Sequence, residues 1–150
     1  MKYTRLIKLT AFSYENEDAQ SILEAFLRFF PFNLEENKVF LKKTEASGSN
    51  ESKITIFEAE IKKDSLVKQF LESILENMGR TQKEIVIAQS ESRLDKTLDF
   101  FLRFEKERWI KEKKLELTDS GKCFHLRMSI AAFPKKREIA LKLIKDIFSR

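Results

Sequence analysis

The chain has 150 residues, of which 42% are hydrophobic and 14 are Phe, so it contains enough apolar material for a core and is not expected to be disordered. Its formal net charge is +5, but residues 101–150 carry 14 Lys/Arg against 7 Asp/Glu, whereas residues 1–100 carry 15 against 17. The basic excess therefore lies wholly in the last third, where it favours a polyanionic partner such as nucleic acid, although surface Lys and Arg also serve solubility.

The first half of the chain predicts two strand–helix units. Residues 3–13 alternate apolar and polar side chains and predict a half-buried strand, with Thr4 and Lys8 on its polar face. Asn16 is placed to cap the helix that follows, and Pro31 stops that helix. The next predicted elements are a strand over 38–42, a loop over 47–50, a strand over 54–61, and a helix capped by Asp64 at its start and by Gly79 at its end.

The second half predicts more strands and a terminal helix. Residues 81–94 fit a strand or a helix on pattern alone, and we favour a helix. Residues 97–104 alternate and predict a strand with Phe101 and Arg103 on its polar face. The remaining predicted elements are a short helix over 105–114, a hairpin of 115–118 with 123–132, and a terminal helix that begins at Pro134. In the second arm of the hairpin, His125, Arg127 and Ser129 share the less apolar face.

These elements predict an α+β fold. Because the strands alternate apolar with polar residues, the sheet is expected to be mostly antiparallel with one covered face. No linker or low-complexity tract interrupts the sequence. We therefore predict a single domain over residues 1–150.

The sequence also predicts a cellular compartment. No apolar run approaches the roughly 18 residues of a membrane-spanning helix. The first five residues lead into an alternating pattern rather than the core of a signal peptide. The lone Cys123 has no disulfide partner and is expected to be a small core residue in a reducing environment. We expect a soluble, cytoplasmic protein that does not associate with membranes.

The common catalytic constellations lack the necessary residues. The chain has one His and one Cys, His125 and Cys123, which share a strand face but are too few to hold zinc. Three Gly are too few for a phosphate-binding Gly-rich loop, and no Gly-x-Ser-x-Gly motif occurs. Paired acids such as Glu58 and Glu60 are best explained as a solvated face. We predict no enzyme activity, no metal and no cofactor.

Basic residues are the more promising feature. Lys135, Lys136 and Arg137 come together at the start of the terminal helix, where cations oppose the helix dipole and so suggest an anionic partner. Arg and aromatic residues interleave on the strands around Phe101 and Arg103, an arrangement that suits phosphate pairing and base stacking. The alternative is that Phe101 packs beneath a helix and Arg103 pairs with a nearby acid.

The last third also resembles a known family. The segments Leu102-Arg103-Phe104-Glu105-Lys106, Lys114-Leu115-Glu116-Leu117 and 124–138 (FHLRMSIAAFPKKRE) resemble the archaeal family of predicted RNA-binding proteins often labelled exosome subunit. The first strand and the strand at 54–61 fit as well, so the resemblance covers most of the chain. The family resembles in fold the 5S-RNA-binding ribosomal protein of the large subunit, which implies an antiparallel sheet with helices packed on one face.

The resemblance implies RNA binding, and two departures qualify it. Family members often carry a His-x-Gly-Asn-Pro-like loop, where residues 47–52 here read SGSNES, and the family's Gly before the hairpin is replaced near Lys113. The family pattern and the polar strand faces together give these candidate RNA contacts: Arg103, Lys106, Arg127, Lys135, Lys136, Arg137 and Lys142.

The sequence therefore predicts a non-catalytic RNA-binding accessory protein, linked to RNA processing or the exosome. The alternative is a protein–protein interaction module, a homodimer without RNA affinity, that uses exposed strand edges or Trp109 as its contact.

Overall fold

One five-stranded antiparallel sheet organises the described part of the chain. In a computed structural model, which describes residues 2–48, 50 and 52–150, the strands lie in the order β2-β3-β1-β5-β4. Every neighbouring pair of strands is antiparallel, which confirms the predicted α+β class. The strands are β1 (Thr4–Tyr14), β2 (Lys42–Ser47), β3 (Lys53–Ile61), β4 (Asp99–Glu105) and β5 (Cys123–Ile130).

The helices pack on one face of this sheet. They are α1 (Ala19–Leu27), α2 (Asp64–Asn77), α3 (Arg80–Ala88), α4 (Ser90–Arg93), a π-helical turn (Arg108–Glu112) and α5 (Arg137–Phe148). The ring of Phe26 in α1 lies 6.3 Å from that of Phe57 in β3, and Phe148 in α5 lies 6.2 Å from Phe100 in β4. The prediction that helices cover one face is therefore confirmed.

Most of the predicted strands and helices are present. The strand over 54–61 is β3, with Phe57, Ala59 and Ile61 buried on one face as alternation requires. The helix favoured over 81–94 is present as α3 and α4. The strand over 97–104 begins at Asp99, because Leu98 adopts a positive φ of 65°. The short helix predicted over 105–114 contracts to the π-helical turn.

Trp109 anchors the π-helical turn to the core. Its side chain is 4% exposed, and its indole N–H donates to the backbone oxygen of Ala25 at 2.7 Å. The Phe29 ring lies 4.7 Å from the Trp109 ring and 5.1 Å from the Phe124 ring. Trp109 therefore belongs to the core, and the alternative in which Trp109 is the dimer contact is wrong.

The start of β1 differs from simple alternation. Thr4 pairs with Ile130 and Leu6 with Ser129, so the register shifts between them. This irregularity turns Thr4 to the covered side, where it is 2% exposed, although the sequence pattern placed it on the polar face. Lys8 keeps the predicted polar side.

The strand predicted over 38–42 is wrong, because the chain turns there instead. Lys38 adopts a positive φ of 58°, and the backbone N–H of Val39 donates to the oxygen of Leu34 at 2.8 Å. Pairing with β3 begins only at Lys42 and runs to Ser47. β2 is an edge strand whose residues are mostly exposed on both faces, so it lacks the alternation that marks a half-buried strand. The loop predicted over 47–50 includes Ser49, which lies outside the described residues.

The predicted hairpin of 115–118 with 123–132 is also wrong. Both edges of β5 are occupied, by β1 and by β4. Residues 115–118 instead line the outer edge of β4. The backbone N–H of Glu105 donates to the backbone oxygen of Glu116 at 2.8 Å, and the backbone N–H of Thr118 donates to the backbone oxygen of Arg103 at 3.0 Å. The turn signal at 119–121 thus carries the chain from one side of β4 to the other.

Two helix starts in the first half differ from the predictions. Asp18, not Asn16, caps α1, because its carboxylate accepts from the backbone N–H of Gln20 at 3.1 Å. The Asp18 carboxylate also accepts from the Ser21 hydroxyl at 2.9 Å. The bond from Ser21 and then the bond from the Gln20 N–H lower the pKa of Asp18. At α2 the capping position is occupied by Lys63, and Asp64 is the first helical residue.

Two further helix boundaries also move. Gly79 does not end α2 in a left-handed conformation, since its φ is −70° and it occupies the position before α3. The terminal helix begins at Arg137 rather than Pro134, and its first backbone bond runs from Ala140 to the oxygen of Lys136. Lys135 and Lys136 therefore lie in the segment that leads into α5, not within it.

Candidate functional site

The sheet face opposite the helices carries a group of basic and aromatic side chains. Lys8 of β1, Phe101 and Arg103 of β4, and His125 and Arg127 of β5 all point to this side, because the alternate residues of these strands fill the core. We call these five residues the basic-aromatic face. Arg103 is exposed and the other four are partly exposed. The sequence alternative in which Phe101 packs beneath a helix is therefore wrong.

Strand register makes these residues direct neighbours. Arg127 lies opposite Lys8 on one side and opposite Phe101 on the other. Arg103 lies opposite His125. Directly opposed side chains on one sheet face are about 5 Å apart at Cβ, so three separate parts of the sequence are joined in one surface.

The positive charges converge on His125. Burial lowers the pKa of His125 from its ordinary value of 6.5, and the charges of Arg103, Arg127 and Lys8 lower it further, in that order. Three cations on three strands therefore act on one imidazole. This ring is consequently neutral at pH 7, and the positive charge of the surface comes from its three neighbours.

The side chains of both arginines of the basic-aromatic face lack partners among the described residues. Neither the Arg103 side chain nor the Arg127 side chain makes a hydrogen bond or ion pair with any residue that the structure describes, so the alternative in which Arg103 pairs with an acid is wrong. The Nε of Arg127 is buried and has no hydrogen-bond partner in the described chain. Lys8 differs from them, since it pairs with Glu58 at 2.9 Å. Two guanidinium groups are thus available to an outside acceptor.

The two rings of the face lie side by side. The centroids of Phe101 and His125 are 5.6 Å apart, and the ring planes differ by 33°. They are diagonal neighbours across β4 and β5, a spacing that aromatic side chains bridge. Each ring therefore presents part of its surface to the open side of the sheet.

Lys106, a predicted contact, is buried and fully engaged. It is 4% exposed, and its ammonium donates to the backbone oxygen of Phe12 at 2.5 Å and to the carboxylate of Glu17 at 2.9 Å. It also lies 5.1 Å from the centre of the Tyr14 ring. These contacts fix the end of β4 against the turn after β1.

Arg137, another predicted contact, ties the start of α5 to α4. Its guanidinium donates to the backbone oxygens of Glu91 at 2.5 Å and Leu94 at 3.0 Å. It also approaches the Glu91 carboxylate at 3.7 Å. The cluster of three cations predicted at 135–137 is therefore divided, since Lys135 and Lys136 are exposed and make no side-chain hydrogen bond or ion pair within the described chain.

Lys142 is exposed on α5 and lies on the helical side of the molecule, because the same helix buries Leu143 and Ile144 against the core. It is thus separated from the basic-aromatic face by the sheet. Of the seven predicted contacts, Arg103 and Arg127 are direct neighbours of the rings, whereas Lys8 was not among them. The alternating pattern of residues 3–13 predicts that Lys8 lies on the polar face of β1, but the excess of basic residues indicates an RNA contact only in residues 101–150.

We expect Lys106→Met to destabilise the fold. The change removes the ammonium that donates to the Phe12 oxygen and pairs with the Glu17 carboxylate. We expect a loss of about 2 kcal/mol in the free energy of unfolding. Urea denaturation measures this loss. Lys135→Met is the matched control and should change stability by less than about 0.5 kcal/mol. Equal stability of the two variants would contradict the structural role of Lys106.

We expect His125 to make stability depend on pH. Because its pKa is lowered in the folded chain, the unfolded chain binds a proton first as the pH falls below about 6.5, and folding becomes less favourable until the folded pKa is passed. Above about pH 6.5 His125 is neutral in both the folded and the unfolded chain, so this loss of stability is absent there. Urea denaturation at pH 7.5 and 5.5 should therefore show a larger loss for the native chain than for His125→Gln. Identical losses would exclude this role for the imidazole.

The described residues contain no group of three or more His, Cys, Asp or Glu side chains placed to hold a metal ion. Burial raises the pKa of the Cys123 thiol, so it is protonated at neutral pH. Among the helices described, none has the length and apolar character needed to cross a membrane.

Comparison with known proteins identifies relatives over most of the chain. RNA-binding protein PAB1135 of Pyrococcus abyssi is 26% identical over 141 residues, which cover 93% of this chain and 90% of that protein. Protein AF2318 of Archaeoglobus fulgidus, assigned to the family DUF54, has the same fold, with a TM-score of 0.83 at 23% identity over 96% of this chain and 99% of the other. Protein SSO0741 of Sulfolobus solfataricus, also assigned to DUF54, gives a TM-score of 0.74 at 26% identity over 94% and 98%. A family model described as RNA binding matches residues 6–130, and the chain therefore belongs to that RNA-binding family.

Proposed function

We propose that this protein binds RNA without catalysing a reaction on it, and that the basic-aromatic face is the main contact. The observation that carries this proposal is the pair of guanidinium groups, Arg103 and Arg127, which have no partner in the described chain and lie on an open sheet face of a chain from an RNA-binding family. An Arg side chain presents a planar set of donors that matches two phosphate oxygens. Such contacts position RNA without requiring an acid, a base or a metal.

The other five predicted basic residues fall into three groups in this proposal. Lys135 and Lys136, exposed and without side-chain partners in the described chain, add phosphate contacts at the end of the sheet where β5 leads into α5. Lys106 and Arg137 support the surface indirectly, because they hold β4 and α5 in place. Lys142 stays a prediction as a contact, on the helical side of the molecule.

The wider biological setting is proposed from the family resemblance. We place the protein in RNA processing, as an accessory component linked to the exosome and located in the cytoplasm, with a fold related to that of the 5S-RNA-binding ribosomal protein. Sequencing the RNA that co-purifies with the protein from its own cells tests this setting. Enrichment of exosome substrates would support it, and recovery of bulk RNA in proportion to abundance would contradict it.

Affinity for RNA should depend steeply on salt. If about four phosphates are neutralised, raising the salt concentration from about 50 to 200 mM should weaken binding by about 50- to 150-fold, because the condensed counterions are released less favourably. Fluorescence anisotropy with a labelled RNA hairpin measures this change. Absence of binding even at about 50 mM salt would overturn the proposed function.

A homodimer is the second candidate, and the edge of β2 favours it. β2 is the last strand on its side of the sheet, so its outer backbone groups are available to pair with a second copy, whereas residues 115–118 cover the opposite edge. Light scattering after size exclusion tests this candidate. A dimer that has no RNA affinity and separates when Thr44→Pro disrupts the edge strand would favour it over RNA binding.

A further inference from the structure

We infer that the basic-aromatic face receives unpaired nucleotides, whose bases stack on Phe101 and His125 while their phosphates bind Arg103 and Arg127. This inference rests on the proposed function and adds to it the kind of RNA that is recognised. It follows from how rings and cations are arranged on β4 and β5, and from the position of the helices on the opposite side of the sheet.

Rings and guanidinium groups alternate in both directions across this surface. Along β4 the outward residues are Phe101 and then Arg103, and along β5 they are His125 and then Arg127. The antiparallel register places Phe101 opposite Arg127 and His125 opposite Arg103. Outward residues on one strand are about 7 Å apart. Each ring therefore has one cation beside it on its own strand and another across from it.

The rings are placed as a surface rather than as a packed pair of the core. Their centroids are 5.6 Å apart and their planes are inclined by only 33°. The helices lie on the other side of the sheet, and the core aromatic groups of Phe29, Trp109 and Phe124 are on that side too. Phe101 and His125 thus form two adjoining ring surfaces that are partly exposed to solvent.

The bases of paired RNA cannot stack on such a surface. In an A-form duplex each base is stacked between its neighbours, and the major groove is too deep and narrow for side chains to reach the bases. An unpaired base has a free ring face and can stack on an aromatic side chain whatever its identity. The chemistry of the surface therefore fits single-stranded RNA or the loop of a hairpin, with little preference for sequence.

Three RNA probes separate stacking from charge. We would measure anisotropy at about 50 mM salt with a 12-nucleotide single strand, with the same strand in a blunt duplex, and with an abasic strand of equal phosphate number. Charge alone favours the duplex, because its charge density is higher. We expect the opposite order, with the intact single strand bound at least about 10-fold more tightly than either other probe, since base stacking contributes on this scale.

Substitutions at Phe101 test the ring itself. Phe101→Ala and Phe101→Leu should each weaken binding of the intact strand by about 5- to 100-fold, and should leave affinity for the abasic strand unchanged. Phe101→Leu keeps an apolar side chain, so it controls for local packing, and thermal unfolding confirms that both variants are folded. A 2-aminopurine base in the strand should lose fluorescence on binding to the native chain and retain it with the variants.

The possible failures are distinct. If the duplex binds as well as the single strand, or if both Phe101 variants bind normally, the stacking inference is wrong while RNA binding through charge stands. If no RNA probe binds at about 50 mM salt, both the inference and the proposed function are wrong.

Discussion

Replacing Arg103 with Glu and Arg127 with Gln together is expected to weaken RNA binding by at least about 30-fold at moderate salt, since each hydrogen-bonded charge contact contributes about 1.5–3 kcal/mol. The two guanidinium groups have no partner in the described chain, so their removal takes away donors that only the RNA uses. The slope of log Kd against log salt concentration should fall by about 2, because each arginine neutralises about one phosphate. Anisotropy over a salt series measures both changes.

A control of equal charge separates local binding from net charge. Arg80→Glu with Lys111→Gln changes the net charge by the same amount, in exposed side chains of α3 and the π-helical turn that pair with Glu84 and Glu107. These positions belong to elements of the helical layer, because the π-helical turn is bound to α1 through Trp109 and α3 contacts α5. We expect the control to change affinity by less than about 3-fold, in line with a weak long-range field. Equal weakening by the two double variants would contradict a defined contact at the basic-aromatic face.

Trp109→Ala is expected to produce the largest loss of stability, about 4 kcal/mol, because it removes a buried aromatic side chain. The change also leaves the backbone oxygen of Ala25 without its donor and removes the ring on which the Arg28 guanidinium lies at 5.5 Å. Phe29 loses its nearest aromatic neighbour at 4.7 Å. Urea denaturation measures the free energy of unfolding.

Trp109→Phe controls for the size of the cavity. It keeps most of the ring packing against Phe29 but loses the hydrogen bond to Ala25, so we expect a smaller loss, about 1–2 kcal/mol. Both variants should bind RNA normally where they are folded, because Trp109 lies on the covered side of the sheet. A loss below about 1 kcal/mol for Trp109→Ala would show that this tryptophan does not anchor the π-helical turn.

The alternating pattern predicted those strands that have one covered face. Ile7, Leu9 and Ala11 of β1 are fully buried, and so are Phe100 and Leu102 of β4. β2 could not be predicted in the same way, because an edge strand whose side chains are exposed on both faces has no alternation to detect. The pairing of residues 115–118 with β4 could not be predicted either, because strand pairing depends on sheet order rather than on local pattern.

The candidate site was predicted in part for a similar reason. Alternation placed Arg103 and Arg127 on the polar side of their strands, and the structure brings them together with Phe101. Lys8 is about 120 residues away in sequence from Arg127 and joins it only because β1 pairs with β5. The partners of Lys106 and Arg137 are also distant in sequence, so their structural contacts had no local signal.

The central claim is that RNA binds on the sheet face opposite the helices. An NMR titration of the isotopically labelled protein with a 12-nucleotide single-stranded RNA at about 50 mM salt maps the contact directly. We expect the largest backbone amide shifts at the basic-aromatic face, Lys8, Phe101, Arg103, His125 and Arg127, and smaller shifts at Lys135 and Lys136. Shifts confined to α2, α3 and α5, or no shifts at all, would contradict it.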